Sequence, residues 1–165
     1  RHILDCGQIA KYIENKNEEI MDIGSGAGLP GVILSILGFS NVSMVESDYK
    51  KTVFISEVLR KCKVTGNVLN KRIETFDNFN NKTLVFRAFS SIEKTLKLLC
   101  NKLELSTKLI FLKGKNAISE KKNALKMWEE LKLKYDYKIA LIIKTYTSIS
   151  DKNSFLVTVE FKKDR

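Results

Sequence analysis

The chain has 165 residues, which allows one domain with a single core and leaves too few for two. Its 44% hydrophobic and 29% charged residues are typical of a globular protein; with no membrane-length apolar run and no secretory signal pattern, we expect a cytoplasmic protein. The net charge of +10 favours a polyanionic partner, although the excess of lysine over arginine also fits an A/T-rich coding sequence.

Apolar runs alternate with segments of helical period along the chain, and no repeat or proline-rich linker divides it. The predicted strands are Glu19–Ile23, Val42–Glu46, Val68–Asn70, Leu84–Phe89, Lys108–Lys113, Lys138–Thr145 and Phe155–Lys162. The predicted helices are Pro30–Leu37, Tyr49–Lys61, Ile92–Leu103 and Ser119–Lys134. On the second of these helices we expect an apolar face that includes Val53, Phe54 and Val58.

The order of these elements predicts an α/β fold in a single domain over residues 1–165. Strands that alternate with helices form a parallel, doubly wound sheet, because each crossover helix packs on a face of that sheet. The last two predicted strands have no helix between them, which favours an antiparallel hairpin at the edge of the sheet.

The three cysteines and the single histidine argue against disulfide and metal chemistry. Cys6, Cys62 and Cys100 are scattered and odd in number, and no C-x-x-C pair offers a zinc site. They are expected to be small apolar packing residues. Since His2 cannot build a histidine-rich centre alone, we expect no metal.

A glycine-rich turn joins the first predicted strand to the first predicted helix. It runs from Asp22 to Gly31 and reads Asp-Ile-Gly-Ser-Gly-Ala-Gly-Leu-Pro-Gly. Glycines at such a turn let the backbone bend sharply and let a ligand come close to it. This pattern predicts a nucleotide-containing cofactor, although a glycine-rich turn without a ligand would look similar.

Two acidic residues bear on which cofactor this is. The residues from Gly26 to Gly31 also satisfy G-x-G-x-x-G, the dinucleotide pattern. Asp22, two positions before Gly24, would repel a pyrophosphate but could organise the cationic amino-acid half of S-adenosylmethionine. Glu46 ends the next strand and could accept both ribose hydroxyls of either cofactor. Adenosylmethionine is therefore favoured, and a nicotinamide or flavin nucleotide stays open.

Other charged residues fall where this fold binds ligands. Glu74 lies just past the third predicted strand, and Arg87 lies inside an apolar strand, where an unpaired charge is costly. We interpret Arg87 as pointing into the crevice at the carboxyl ends of the strands, although a surface ion pair would also explain it. Lys113 and Lys115 end a strand at the same edge, where their ammonium groups could meet phosphates.

With these features the chain resembles RsmG (also called GidB), the family of bacterial small-subunit rRNA guanine-N7 methyltransferases. The resemblance extends over essentially the whole chain. It rests on five segments in the family's order and spacing: Arg1-His2-Ile3-Leu4-Asp5, the loop from Asp22 to Gly31, Arg72-Ile73-Glu74, Arg87-Ala88-Phe89 and Leu112-Lys113-Gly114.

The resemblance implies a class I S-adenosylmethionine-dependent methyltransferase with a Rossmann-like fold, which methylates N7 of guanine 527 in 16S rRNA. It also implies cofactor positions at Gly24, Leu29, Ile73, Glu74 and Arg87, where Leu29 and Ile73 are either apolar walls or plain core residues. Together with the reading of the loop, the expected cofactor-binding residues are Asp22, Gly24, Gly26, Gly28, Leu29, Glu46, Ile73, Glu74 and Arg87.

Two departures from the family bear on activity. The family carries a helical N-terminal extension before the Arg-His-Ile-Leu-Asp segment, whereas this sequence begins at Arg1 of that segment. We therefore expect the chain as given to bind cofactor but to methylate rRNA poorly. Cys6 stands where the family usually has serine, which is a tolerable change between small residues.

Methylation at guanine N7 needs no general base, because that nitrogen has an in-plane lone pair and no proton. The enzyme then supplies mainly positioning. Arg87, Lys113 and His2 are the positioning candidates, although His2 could instead be held by Asp5; Arg1, Lys113 and Lys115 are the expected RNA contacts. The expected partner is 16S rRNA or the small subunit, bound by a monomer. An NAD(P)-linked oxidoreductase and a non-catalytic adenosylmethionine-binding module are the competing functions.

Overall fold

A computed structural model describes residues 1–79, 82–135 and 138–164. Within these residues the strands are β1 (Glu19–Ile23), β2 (Val42–Glu46), β3 (Asn67–Asn70), β4 (Lys82–Arg87), β5 (Lys108–Lys113), β6 (Ile139–Thr147) and β7 (Phe155–Lys163). They form one sheet of seven strands in the order β3-β2-β1-β4-β5-β7-β6. Strands β1 to β5 pair in parallel, whereas β7 is antiparallel to both β5 and β6. The predicted parallel sheet with an antiparallel C-terminal hairpin is confirmed.

Helices cover both faces of the sheet. They are α1 (His2–Gly7), α2 (Gly31–Ile36), α3 (Tyr49–Cys62), α4 (Ile92–Leu99) and α5 (Ala117–Tyr135). Successive strand residues are buried on alternate faces: Ile20 and Val85 face one apolar cluster, which also contains residues of α2 and α3, whereas Met21 and Phe86 face the cluster formed with α4 and α5. This period of two is what a doubly wound sheet requires.

Helix α3 shows how local signals set an element's ends but not its buried face. Its N-cap, Asp48, accepts a hydrogen bond from the backbone N–H of Lys50 at 2.8 Å, and its C-terminal cap, Lys63, has a left-handed φ of 55°. The buried side is Thr52, Ile55 and Leu59. The predicted apolar face was wrong for Val53 and Phe54, which are about half exposed, whereas Val58 packs partly buried against the core. Spacing alone did not distinguish the two sides of this helix.

Two predicted elements end earlier than expected, and one helix was not predicted. The predicted strand Leu84–Phe89 ends at Arg87, because Ala88 adopts a left-handed φ of 51° that no strand continues. The predicted helix Ile92–Leu103 ends at Leu99, and a 3₁₀ turn over Cys100–Lys102 then carries the buried Leu103 into the same cluster. Helix α1 was not predicted. It is followed by a 3₁₀ helix, Gln8–Tyr12, that buries Ile9.

Candidate functional site

The glycine loop after β1 lies at the point where the strand order reverses. Strand β1 has β2 on one side and β4 on the other, so a crevice opens at the carboxyl ends of these strands. Gly24 has a φ of +69°, and a Cβ there would lie 2.7 Å from the ring of Phe89. The backbone N–H groups of Gly24 and Ser25 both donate to the carbonyl of Val45, at 2.9 and 3.0 Å. The loop therefore packs closely against β2 and leaves no room for a side chain at Gly24.

Asp22 is fully buried beneath this loop. Its Oδ2 accepts hydrogen bonds from the hydroxyl of Ser25 and from the backbone N–H of Gly31, the latter at 2.8 Å. Its Oδ1 has no partner among the described residues. Burial raises the pKa of Asp22 to about 6, against the opposing effects of those two hydrogen bonds and the charge of Arg87. One oxygen of this carboxylate thus holds the loop in shape, and the other lies buried without a hydrogen-bond donor among the described residues.

Glu46 lies at the carboxyl end of β2 and is only 8% exposed. Its Oε2 accepts from the backbone N–H of Gly26, and its Oε1 from that of Asp48, both at 2.9 Å. A carboxylate oxygen has two lone pairs, so each one keeps capacity for a further donor. Glu46 therefore fixes the glycine loop to the start of α3 and can still accept hydroxyl groups.

The first cleft is the cavity between the ends of β1 and β2 and the 3₁₀ turn Ile73–Thr75. It has a volume of about 130 Å³. Four of the predicted cofactor residues line it: Gly24, Glu46, Ile73 and Glu74. Ser47, Lys71, Arg72 and Phe89 also line it and were not predicted as cofactor contacts, although Arg72 and Phe89 belong to segments that carry the family resemblance.

The other predicted cofactor residues lie around this cleft. Asp22, Gly26 and Gly28 shape the loop that borders it. Leu29 is half-buried and is not among the residues that line the cleft. Arg87 lines a neighbouring cavity instead.

The second cleft is this neighbouring cavity, with a volume of about 240 Å³. Cationic and polar side chains from distant parts of the chain line it, among them Arg1, His2, Asp5, Gln8, Arg87 and Lys113. The end of β4 separates the two clefts, since Arg87 and Ala88 line the second cleft and Phe89 lines the first. A ligand in one cleft would therefore lie next to a ligand in the other.

Of the predicted RNA contacts, the structure leaves Arg1 and Lys115 exposed and gives Lys113 another partner. The ammonium of Lys113 lies 2.9 Å from the carboxylate of Glu120 and also donates to the carbonyl of Ser90. The Lys113 side chain is only 13% exposed. This partly buried ion pair joins β5 to α5, so the ammonium of Lys113 is not a fully solvated cation.

Asp5 was not predicted as a site residue, although it belongs to the opening Arg-His-Ile-Leu-Asp segment. Its Oδ1 accepts hydrogen bonds from Ser148 at 2.6 Å, from Ser150, and from Gln8 at 3.4 Å. Among the described residues these three donors hold Asp5, whereas the hydrogen bond from His2 that the sequence left open as an alternative is not formed. Ser148 is 143 residues away in the chain, so no local pattern could have indicated this cluster.

Three further observations concern the Cys6 thiol, metal-ligating side chains and helix length. Burial raises the pKa of the Cys6 thiol to about 11, which leaves it neutral and inert. Across residues 1–79, 82–135 and 138–164, no three metal-ligating side chains come together. The same ranges contain no helix with the length and apolar character needed to cross a bilayer.

The strand order, the antiparallel β7 and the glycine loop bordered by Asp22 and Glu46 define the class I adenosylmethionine-dependent methyltransferase fold. A family model described as rRNA small subunit methyltransferase G matches residues 1–142. The chain belongs to this family.

Curated relatives agree with the family match. The proteins called ribosomal RNA small subunit methyltransferase G from Rickettsia felis and Rickettsia typhi are each 38% identical to this chain over 128 residues. The aligned region covers 78% of this chain and 66% of each relative. The chain thus spans just under two thirds of the length of the relatives it matches.

Solved structures share the fold at low sequence identity. A mutant of MtNAS in complex with S-adenosylmethionine matches with a TM-score of 0.70 and 14% identity, over 98% of this chain and 62% of that one. An rRNA methylase from Streptococcus thermophilus matches with a TM-score of 0.59 and 15% identity, over 100% of this chain and 98% of that one. At such identities the likeness concerns the fold alone.

Proposed function

We propose that this chain transfers a methyl group from S-adenosylmethionine to N7 of a guanine in 16S rRNA, guanine 527 being the family's target. The observation that carries the proposal is the meeting of two clefts at the end of β4. Phe89 lines the cleft of the glycine loop, and Arg87 and Ala88 line the cationic cleft beside it. Donor and acceptor bound in adjacent clefts would be held side by side.

The residues of the first cleft fit adenosylmethionine. Its ribose would lie at Glu46, whose two oxygens each keep a lone pair for a hydroxyl. The carboxylate of Asp22 lies buried beneath the loop that borders this cleft, and its negative charge there suits a cationic amino-acid group better than a pyrophosphate. Ile73 is 5% exposed and supplies an apolar wall. When bound, adenosylmethionine supplies an electrophilic methyl group on its sulfonium.

The residues of the second cleft would position the acceptor guanine and would not need to remove a proton from it. Guanine N7 carries a lone pair and no hydrogen, so the reaction needs no general base. Arg87 and His2 line the second cleft and are the side chains that would orient the acceptor. Positioning of this kind can lower a barrier by about 7–11 kcal/mol in favourable cases. The neutral, buried thiol of Cys6 has no role in such a reaction.

The RNA strand would be held by charge around the second cleft. Arg1 lines this cleft and is more than half exposed, although its guanidinium also pairs with Asp151 at 3.2 Å. Lys115 is exposed just beyond β5. The net charge of +10 adds a general attraction to phosphates.

Methyl transfer from labelled adenosylmethionine to 16S rRNA, naked or in small subunits lacking the modification, tests the proposal. We expect label in the RNA at a guanine whose backbone becomes sensitive to reduction and aniline cleavage, as N7-methylguanine does. If the chain binds adenosylmethionine but transfers no label to either RNA substrate, the result would favour a non-catalytic binding module. Label at another atom would contradict the assignment to N7.

We expect RNA association to weaken by tenfold or more between about 50 and about 200 mM salt. The physical reason is that phosphate contacts release counterions, so several lysine and arginine contacts give a steep dependence. A fluorescence titration of a 16S fragment at several salt concentrations measures it. An affinity that stays flat would mean that the net charge reflects coding composition rather than RNA binding.

A further inference from the structure

Asp5 is a nearly buried carboxylate with one oxygen fully used and the other without a partner. The residue lines the second cleft and is 9% exposed. All three donors that reach it, from Gln8, Ser148 and Ser150, converge on Oδ1. Among the described residues Oδ2 accepts no hydrogen bond. Because Asp5 lines the cavity, this oxygen is available to accept a hydrogen bond from a ligand bound there.

This carboxylate acts only as an acceptor at neutral pH. Burial raises the pKa of Asp5, but the hydrogen bonds from Ser148 and Ser150 and the charge of Arg1 outweigh it and leave the pKa below its usual value. An ionised carboxylate has no proton to donate. Whatever occupies the cleft must therefore bring hydrogen-bond donors to Asp5.

The cationic side chains of the same cleft need hydrogen-bond acceptors on the ligand. Arg1 and Arg87 line the same cavity, and a guanidinium can only donate. A fitting ligand thus carries donors on one edge and acceptors on another. Guanine has this pattern, with N1–H and the N2 amino group adjacent on its Watson–Crick edge, and O6 and N7 as acceptors. Adenine lacks a proton at N1, and uracil and cytosine each offer a single donor group on that edge.

We propose, as a deepening of the proposed function, that Asp5 selects the acceptor guanine by accepting hydrogen bonds from N1–H and the N2 amino group at Oδ2. A carboxylate oxygen has two lone pairs, so both donors can be taken by one atom. N7 lies on the other ring of the purine, away from the held edge. A guanine bound in this way leaves N7 free to face the first cleft across Ala88. Enzymes that act on an unstacked base read the same edge.

Ser148 and Ser150 have a separate role in this arrangement. They lie at the end of β6 and in the turn that leads to β7, and their hydroxyls hold Oδ1. This fixes the Asp5 carboxylate in one orientation and ties α1 to the hairpin. Asp5 therefore has a structural use as well, and the test must separate recognition from anchoring.

The test compares methyl transfer to two RNAs that carry guanine or inosine at the target position. Inosine lacks the N2 amino group and keeps N1–H, O6 and N7. We expect the wild type to prefer guanine by about tenfold or more in kcat/KM, since one bond to a charged acceptor is lost. In Asp5→Asn, kcat/KM on guanine should fall by tenfold or more, and the guanine-to-inosine ratio should approach one. Binding of adenosylmethionine should be unchanged.

Ser150→Ala is the matched control, because it removes one donor to Oδ1 and leaves Oδ2 alone. It should lower transfer to both RNAs by the same factor and keep the guanine-to-inosine ratio. A merely structural Asp5 would behave in the same way.

Two results would overturn the proposal. One is an Asp5→Asn variant that binds adenosylmethionine and keeps the wild-type guanine-to-inosine ratio. The other is a wild type that methylates inosine as well as guanine, which decides the matter even if the variant does not fold. A wild type that transfers no methyl group to the guanine RNA would instead contradict the proposed function itself, and this inference with it.

Discussion

Replacing Asp22 by asparagine is expected to weaken adenosylmethionine binding by tenfold or more while leaving the chain at least as stable as the wild type above about pH 6. Asp22 is fully buried, and its Oδ1 has no partner among the described residues. Asparagine keeps an oxygen for the N–H of Gly31 and removes the buried charge. The loop should therefore keep its shape while losing its attraction for a cation.

The same substitution should change how stability depends on pH. Burial raises the pKa of Asp22 to about 6 from an ordinary value of 3.8, so the folded chain holds this proton more tightly than the unfolded chain. The stability that the protonated group contributes is present below about pH 4 and is lost as the pH rises to about 6. The free energy of unfolding that Asp22 contributes changes by at most about 1.4 kcal/mol per pH unit. Asp22→Asn lacks this dependence.

Chemical denaturation at several pH values, together with calorimetric titration of adenosylmethionine, measures both effects. The quantity to compare is the difference between wild type and variant, because other carboxyl groups titrate in both. Ser25→Ala is a useful companion, since it removes a donor to Asp22 and keeps the charge. An Asp22→Asn variant that binds adenosylmethionine normally but is less stable at pH 8 would show that Asp22 only anchors the loop.

Replacing Glu46 by alanine should weaken adenosylmethionine binding by about 1–3 kcal/mol or more. The ribose hydroxyls would lose a charged acceptor, and the N–H groups of Gly26 and Asp48 would lose the carboxylate that now binds them. Both losses act on the first cleft. Calorimetric titration of the folded variant gives the change in dissociation constant.

Glu57→Ala is the control for this variant. Glu57 is an exposed glutamate on α3 whose only described partner is Arg60, at 2.9 Å, so its removal changes the net charge by the same amount. It should leave cofactor binding unchanged. A Glu46→Ala variant with the dissociation constant of the wild type would mean that Glu46 does not hold the ribose.

The strands could be predicted from the sequence because their signals are local. Ile20 and Met21 face opposite sides of the sheet, so β1 is buried on both faces, and its short, mostly apolar run is the local signal of such a strand. The end of β4 could not be predicted, because Phe89 is apolar for another reason. It packs against the glycine loop at Gly24, one residue beyond the left-handed turn at Ala88.

The first cleft was partly predictable for a similar reason. Parallel strands bring their carboxyl ends to one edge, so Gly24 and Glu46 were expected to meet there, and they do. The hydrogen-bonding roles of these residues could not be predicted from the sequence. Nothing in the sequence indicated that Glu46 would accept the N–H of Gly26 as well as face the cavity.

The second cleft is formed by contacts between residues that are far apart in the sequence, and no local sequence pattern indicates such contacts. Asp5 and Ser148 meet because the turn that follows β6 lies against α1, which is a property of the whole fold. Lys113 looked like a free cation at a strand end, but its partner Glu120 is supplied by the next helix. Charged residues can be located from the sequence, whereas their partners require the three-dimensional arrangement.

Parallel calorimetric titrations with adenosylmethionine and with NAD test most directly whether the cleft beside Gly24 belongs to a methyltransferase. Both ligands offer a ribose to Glu46, so the difference between them reports on the environment of Asp22. We expect saturable binding of adenosylmethionine with one site per chain, and weaker or undetectable binding of NAD. Tighter binding of NAD would contradict the assignment and favour a nucleotide-linked oxidoreductase.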